Sequence, residues 1–280
     1  MSYFNGVFTA LVTPFKNQEV DFESLKRLVL FQIERGVRGF VVNGTTAESP
    51  TLEPDEVEKI FFFVRQTAGP QVPLIVGVGT NNTRTTIQAA QKAQAWGAEG
   101  LLVVTPYYNK PPQRGLLEHF KAVADATHVP NILYNVPGRT VVSLEIETIK
   151  KLSEHPQIVA IKEASGKIDF AEQIFKQCHQ SLELLSGDDE SYEEFLKVGG
   201  QGIISVASHL LPQAFSSGQI KAHLPLIKSI YLEANPIPVK MALYLMGQIQ
   251  SPECRLPLVE ASPLVVQKLK EALALEGLIK

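Results

Sequence analysis

Ile158-Val159-Ala160-Ile161 runs straight into Lys162, with Glu163 and Ala164 behind it. An ammonium group in an apolar strand costs on the order of several kcal/mol to desolvate. Burial disfavours the charged form, and the neutral amine that remains attacks ketones to give an imine. The protonated imine is then an electron sink for an adjacent carbanion. The plainer alternative is a lysine that reaches water or pairs with Glu163. Strand alternation sends neighbouring residues to opposite faces and argues against that pair.

Imine formation expels water and needs a group that moves protons. Tyr134, near the end of the run Asn131–Asn135, can act as acid and base if hydroxyls link it to solvent, and Thr45 and Tyr108 can supply that link. Any one of these tyrosines alone reads as half-buried packing. A keto acid also needs its carboxylate held. Thr46 and the backbone amides of residues 44–47 form a plausible anion cradle at a strand-to-helix turn. Arg139 offers a planar fork for a second carboxylate or an aldehyde hydrate, or else a surface salt bridge. Asp188 and Asp189 repel phosphate where many barrels bind it, which favours a non-phosphorylated keto acid.

These residues must be positioned by regular elements. Short β-branched runs read as strands at Val7–Thr13, Gly39–Asn43, Pro73–Val78, Gly100–Thr105, Asn131–Asn135, Ile158–Glu163, Leu182–Ser186 and Gly202–Val206. Helical spacing separates them, as at Asp21–Arg35, Pro54–Thr67 and Thr83–Trp96. Strands apolar on both faces, each followed by a helix, call for a parallel sheet covered by helices. An open doubly wound sheet is the competitor, but Gly77-Val78-Gly79 lacks the third glycine of a dinucleotide fingerprint. Eight βα units in 280 residues predict an α/β fold, a (β/α)8 TIM barrel, with its chemistry at the C-terminal strand ends. Those ends carry Thr45, Tyr108, Tyr134, Lys162 and Asp188, and the N-terminal ends carry little of the kind. Residues 1–208 read as the barrel. Residues 209–280 read as a helical segment packed on it, with helices at Leu210–Lys228, Pro238–Ile249 and Pro263–Leu275.

Composition narrows the function classes. Hydrophobic residues make up 45% and charged residues 20%, the net charge is −3, and no basic stripe offers a nucleic-acid surface. No window reaches the roughly 18 apolar residues of a membrane span. The opening residues lack the basic start and apolar run of a signal peptide, so a cytoplasmic protein with no membrane partner is expected. Cys178 and Cys254 have no CxxC spacing and read as buried thiols in a reducing compartment. The six histidines show no ligand spacing, and no metal is expected. No GxSxG elbow is present for serine hydrolysis.

Taken together, these segments resemble the pyruvate-dependent class I aldolases, and most closely their dihydrodipicolinate synthase family. The resemblance spans nearly the whole chain. It rests on Gly44-Thr45-Thr46-Ala47-Glu48, Thr105-Pro106-Tyr107-Tyr108-Asn109, Tyr134-Asn135-Val136-Pro137-Gly138-Arg139-Thr140, Ile161-Lys162-Glu163-Ala164-Ser165-Gly166, Leu185-Ser186-Gly187-Asp188-Asp189, Asn235-Pro236-Ile237-Pro238-Val239-Lys240 and Leu256-Pro257-Leu258. It implies condensation of pyruvate with L-aspartate 4-semialdehyde on the route to lysine and diaminopimelate. No cofactor is implied beyond the covalent imine of Lys162 with pyruvate. Tyr134 would donate and accept the proton, with Thr45 and Tyr108 completing the relay. Tyr108 would act in its own subunit, and Tyr107 would reach across a tight dimer. Thr46 and the backbone at Ile204 would bind pyruvate, Arg139 the semialdehyde carboxylate, and Gly187 would keep the floor open. A homotetramer is implied, with a dimer as the alternative.

The chain departs from the family pattern at three places. Ala47 replaces a glycine, the segment Ser208–Asn235 looks about one helix short, and Val57 and Thr85 stand where lysine-inhibited members carry histidine and glutamate. Weak or absent lysine feedback follows from the last. The competing functions are a keto-acid lyase acting on a sugar acid or hydroxy-oxoglutarate, and a catalytically silent binding barrel. Arg139 and Tyr107-Tyr108 argue against the first, and the intact Lys162, Tyr134, Thr45 and Tyr108 against the second.

Overall fold

The structure is a computed structural model and describes residues 3–280. Eight strands close into a barrel: β1 (Gly6–Ala10), β2 (Gly39–Val42), β3 (Leu74–Gly77), β4 (Gly100–Val104), β5 (Asn131–Asn135), β6 (Ile158–Glu163), β7 (Glu183–Ser186) and β8 (Gly202–Ser205). They follow one another in chain order around the barrel, with β8 beside β1. The expected (β/α)8 fold is what forms. Its strands are buried almost throughout, because helices cover their outer faces and side chains fill the inside. By contacts the chain divides into two compact units. One joins the segment up to Phe8 to Pro73–Ile204, and the other joins Thr9–Val72 to Ser205–Lys280.

The first unit carries the continuous parallel ladder β3 to β8. Helix Thr83–Trp96 starts where Asn82 accepts from the amides of Arg84 and Thr85 and stops at Gly97, whose φ of 85° reverses the chain. The Glu183 carboxylate accepts from the backbone amides of Tyr3 and Phe4, and so ties down the chain ahead of β1.

In the second unit, helix Phe22–Glu34 is capped by Asp21 and helix Pro54–Ala68 by a Glu53/Glu56 capping box. A ribbon of Phe15–Lys16 against Glu19–Val20 was not expected from the sequence. Its turn residues, Asn17 and Gln18, both have positive φ (54° and 66°), a type I′ turn without the usual glycine. The expected single helix Leu210–Lys228 is instead two, Pro212–Ser217 and Leu224–Ser229. Gly218 caps the first in the left-handed conformation, and Pro225 suits the start of the second. Gly247 likewise ends helix Ile237–Leu245 short of the expected Ile249. Helix Pro263–Leu275 forms with the expected bounds.

Several polar groups buried in this unit hydrogen-bond to one another or to nearby backbone. Thr9 Oγ1 donates to Gln32 Oε1 (2.8 Å), and Gln32 Nε2 donates to the His209 carbonyl (3.0 Å). His209 Nε2 accepts from the Val12 amide (3.1 Å), and desolvation pulls this imidazole down to about 4, so it is neutral. Cys178 and Cys254 are buried free thiols, as expected, and burial pushes Cys254 up to about 12. Among the described residues no helix is long and apolar enough to cross a membrane.

Candidate active site

Tyr134 and Lys162 are register partners on the adjacent parallel strands β5 and β6, each near its C-terminal end. Both are buried, at 7% and 5% exposure, and Lys162 Nζ lies 4.3 Å from the centroid of the Tyr134 ring. Among the described residues the amine has no ion-pair partner. The alternative pairing with Glu163 is not made, because the two side chains leave the strand on opposite faces. The residue that follows the next strand supplies space for the lysine. A Cβ built on Gly187 would sit 2.7 Å from Lys162 Cε and 2.6 Å from Ala164 Cβ. Only glycine leaves room there for the amine and anything bonded to it.

A second layer of polar groups fixes these strand ends from behind. Asn135 and Glu163 are the next register pair, and Asn135 Nδ2 donates to Glu163 Oε2 at 2.7 Å. The other carboxylate oxygen accepts from the Ser165 amide (2.6 Å), while Asn135 Oδ1 accepts from the Leu144 amide (2.9 Å). Burial raises the Glu163 carboxyl above its ordinary value, with those hydrogen bonds opposing the rise. On the other flank, the Thr105 amide and Oγ1 both donate to the Tyr134 carbonyl, at 3.0 and 3.1 Å. Sequence reasoning noticed Thr105 and Asn135 only as parts of motifs. The signal was available: period-two alternation puts Asn135 and Glu163 on one shared face, next to the two residues that could do chemistry.

After β2, a 3₁₀ turn over Thr45–Ala47 carries the paired threonines. Thr45 is half-buried and its hydroxyl makes no hydrogen bond among the described residues. Thr46 is 2% exposed, and its Oγ1 accepts from Asn235 Nδ2 at 3.0 Å. Ala47, in place of the family's glycine, keeps a negative φ, and the left-handed conformation falls on Glu48 (φ 59°, ψ 40°). Glu48 tolerates it because it is held. Its fully buried carboxylate accepts from Lys240 Nζ (2.6 Å) and from the Arg255 amide (2.9 Å). Lys240 and the Arg255 guanidinium both lie against the Phe15 ring, and Arg255 also pairs with Glu56. The sequence marks Asn235 and Lys240 only as part of the family motif Asn235–Lys240 and gives neither a role.

The remaining residues sit on loops and at strand ends. Arg139 is exposed on the short helix Pro137–Thr140, whose last residue donates its hydroxyl to the carbonyls of Val136 and Val142. Ile204 is buried in β8. Tyr107 and Tyr108 occupy the loop after β4, at 39% and 88% exposure, with Tyr108 at a positive φ of 70°. Asn109 anchors this loop through Nδ2 to the Asn81 carbonyl (2.9 Å). Asp188, suggested as an acidic loop residue, takes the Ser191 amide and hydroxyl (3.1 and 2.5 Å), as a turn-capping carboxylate does. Among the described residues no three His, Cys, Asp or Glu side chains are grouped to hold a metal.

A closed (β/α)8 barrel with a buried lysine and tyrosine paired at neighbouring strand ends defines a lyase of the class I aldolase type. The sequence model of the dihydrodipicolinate synthetase family matches residues 3–275, and this chain belongs to that family. The 4-hydroxy-tetrahydrodipicolinate synthase of Bdellovibrio bacteriovorus is 50% identical over 293 residues, covering 100% of both chains. The crystal structure of dihydrodipicolinate synthase from Thermotoga maritima superposes with a TM-score of 0.96 at 42% identity, covering 99% of this chain and 100% of that one. The chloride-inhibited dihydrodipicolinate synthase of Acinetobacter baumannii, solved in complex with pyruvate, gives a TM-score of 0.94 at 38% identity, covering 98% of this chain and 99% of that one.

Proposed function

We propose that this enzyme condenses pyruvate with L-aspartate 4-semialdehyde to 4-hydroxy-tetrahydrodipicolinate, through an imine on Lys162 and without a cofactor. The observation that carries the mechanism is the Lys162–Tyr134 pair, an unpaired buried amine against a buried phenol. The pyruvate held by the Acinetobacter relative supports the first substrate.

The chemistry follows from the groups present. The Lys162 amine attacks C2 of pyruvate, and the carbinolamine loses water once its oxygen is protonated, a transfer that falls to Tyr134. The iminium withdraws electrons from C3, which loses a proton to give the enamine. That carbon attacks the aldehyde carbon of the semialdehyde, and the new alkoxide takes up a proton. The amino group of the semialdehyde then adds to the imine carbon and displaces Lys162, closing the ring and restoring the amine. One water leaves in total, at imine formation.

Thr45 and Tyr108 would link Tyr134 to solvent, Thr46 and the Ile204 backbone would hold the pyruvate carboxylate, and Arg139 would hold that of the semialdehyde. Tyr107 (39%) and Tyr108 (88%) are both exposed in the single chain, which supports a role for this loop at a contact with a second copy. A homotetramer, or a dimer, gives these residues a covering surface. Two buried free thiols fit a reducing cytoplasm.

The test is direct. Incubation with pyruvate followed by borohydride reduction should add one reduced pyruvate to Lys162, read by peptide mass spectrometry. An unlabelled Lys162 in enzyme that turns over both substrates would overturn the mechanism.

A further inference from the structure

The segment 235–255 closes on the Thr45–Glu48 turn at both ends, through Asn235 on Thr46 and through Lys240 and the Arg255 amide on Glu48. The direction of the first bond has a consequence. Thr46 Oγ1 accepts from an amide N–H at 3.0 Å, so its own proton must go elsewhere. Thr46 is 2% exposed, and among the described residues its hydroxyl meets no acceptor. A buried hydroxyl proton without an acceptor is costly to leave unmet, and an anionic ligand at this turn supplies one.

We infer that Asn235 is a positioning residue for the pyruvate carboxylate: by donating to Thr46, it turns that hydroxyl into a fixed hydrogen-bond donor aimed at the substrate. The inference rests on the proposed role of Thr46 in binding pyruvate. Lys240 and Arg255 complete the device by locking Glu48 in its left-handed conformation, so the turn cannot swing the hydroxyl away. A segment far along the sequence from every residue with a chemical role thereby sets the polarity of a substrate contact.

Three variants test this. In Asn235→Ala the Thr46 hydroxyl is free to rotate, and the KM for pyruvate should rise about tenfold, the scale of one hydrogen bond to a charged group. The KM for the semialdehyde should stay within about twofold. Asn235→Asp keeps the shape but only accepts, so it claims the Thr46 proton, and the pyruvate KM should rise further than in Asn235→Ala. In a Thr46→Val background, Asn235→Ala should add nothing to the pyruvate KM, which a merely structural role would not predict. An unchanged pyruvate KM in Asn235→Asp, or equal rises in both KM values, would overturn the inference. Borohydride trapping of wild-type enzyme with pyruvate runs alongside. If it labels Lys162 while the Asn235 variants bind pyruvate normally, the inference fails and the mechanism stands. If Thr46→Val itself leaves the pyruvate KM unchanged, the fault lies with the assigned role of Thr46.

Discussion

Lys162 Nζ sits 4.3 Å from the centre of the Tyr134 ring, and the two residues are direct register partners across β5 and β6. Parallel strands fix such a pair more firmly than loops could, because the ladder on either side (Leu133 with Ile161, Asn135 with Glu163) sets both Cα positions. The arrangement separates two duties. The ring face packs against the amine, and the hydroxyl, which makes no hydrogen bond among the described residues, is left for the proton transfer proposed above.

Lys162→Ala is accordingly expected to abolish turnover and borohydride trapping. Tyr134→Phe keeps the ring, and hence the contact with the amine, but removes the proton carrier. It should lower kcat by about 10²- to 10⁴-fold, the range for general acid–base groups. Steady-state kinetics, with circular dichroism to confirm the fold, checks both. Wild-type kcat in Tyr134→Phe would remove the phenol from the mechanism.

Gly187→Ala should cripple the site with a moderate stability loss. The added methyl would lie 2.6 Å from Ala164 Cβ, which cannot rotate away, and 2.7 Å from Lys162 Cε, which can. Relief of overpacking of this kind typically costs about 1–3 kcal/mol. Here part of the relief comes from turning the lysine out of line, so kcat should fall more than the melting temperature suggests. Urea denaturation and kinetics on the same preparation separate the two effects.

Glu163 makes a prediction with a definite sign. Its carboxyl is raised in the fold, so the stability it contributes is complete below its unfolded value, near 4.5, and is lost as pH rises through the folded value. Glu163→Gln cannot ionise and escapes that loss. Its melting temperature relative to wild type should therefore climb between about pH 4 and pH 7, the span in which an ordinary glutamate ionises. A flat difference across that span would mean the carboxyl is not raised.

Much of this was legible in the sequence, and the reason is periodicity. Runs such as Ile158–Glu163 and Asn131–Asn135 are apolar on both faces, which only a helix-covered parallel strand satisfies, and a polar residue inside such a run stands out as Lys162 does. What stayed hidden is whatever depends on a partner distant in sequence. Thr46 with Asn235 and Glu48 with Lys240 each span about 190 residues, and no local pattern encodes them. Local breaks were misjudged for a different reason. Leu210–Lys228 has unbroken apolar spacing, and a single left-handed glycine, Gly218, outweighs it.

Lysine should inhibit this enzyme weakly or not at all. Val57 is a buried apolar residue of helix Pro54–Ala68, and Thr85 is an exposed, uncharged residue in the first turn of helix Thr83–Trp96. Neither offers the imidazole or the carboxylate that would hold an ammonium or amino-acid ligand. Initial rates measured across a lysine titration should stay flat through the sub-millimolar range, and inhibition there would show that other groups bind it.

The Lys240–Glu48 pair should be costly to break and cheap to delete. Both side chains are fully buried, at 0% exposure, with Nζ and Oε1 2.6 Å apart. Lys240→Met leaves the Glu48 carboxylate with the Arg255 amide but no countercharge, a loss that typically costs about 3–5 kcal/mol. Glu48→Gln in the same chain removes the stranded charge and still accepts from the Arg255 amide. The double variant should thus recover most of the stability, because a buried pair contributes little net once both desolvation costs are gone. Recovery of activity is a stricter demand, since residue 48 must still hold the left-handed backbone that ends the Thr45–Ala47 turn. A double-mutant cycle by urea denaturation, with the pyruvate KM measured at each corner, tests both. Additive losses of stability would show that the two side chains act independently.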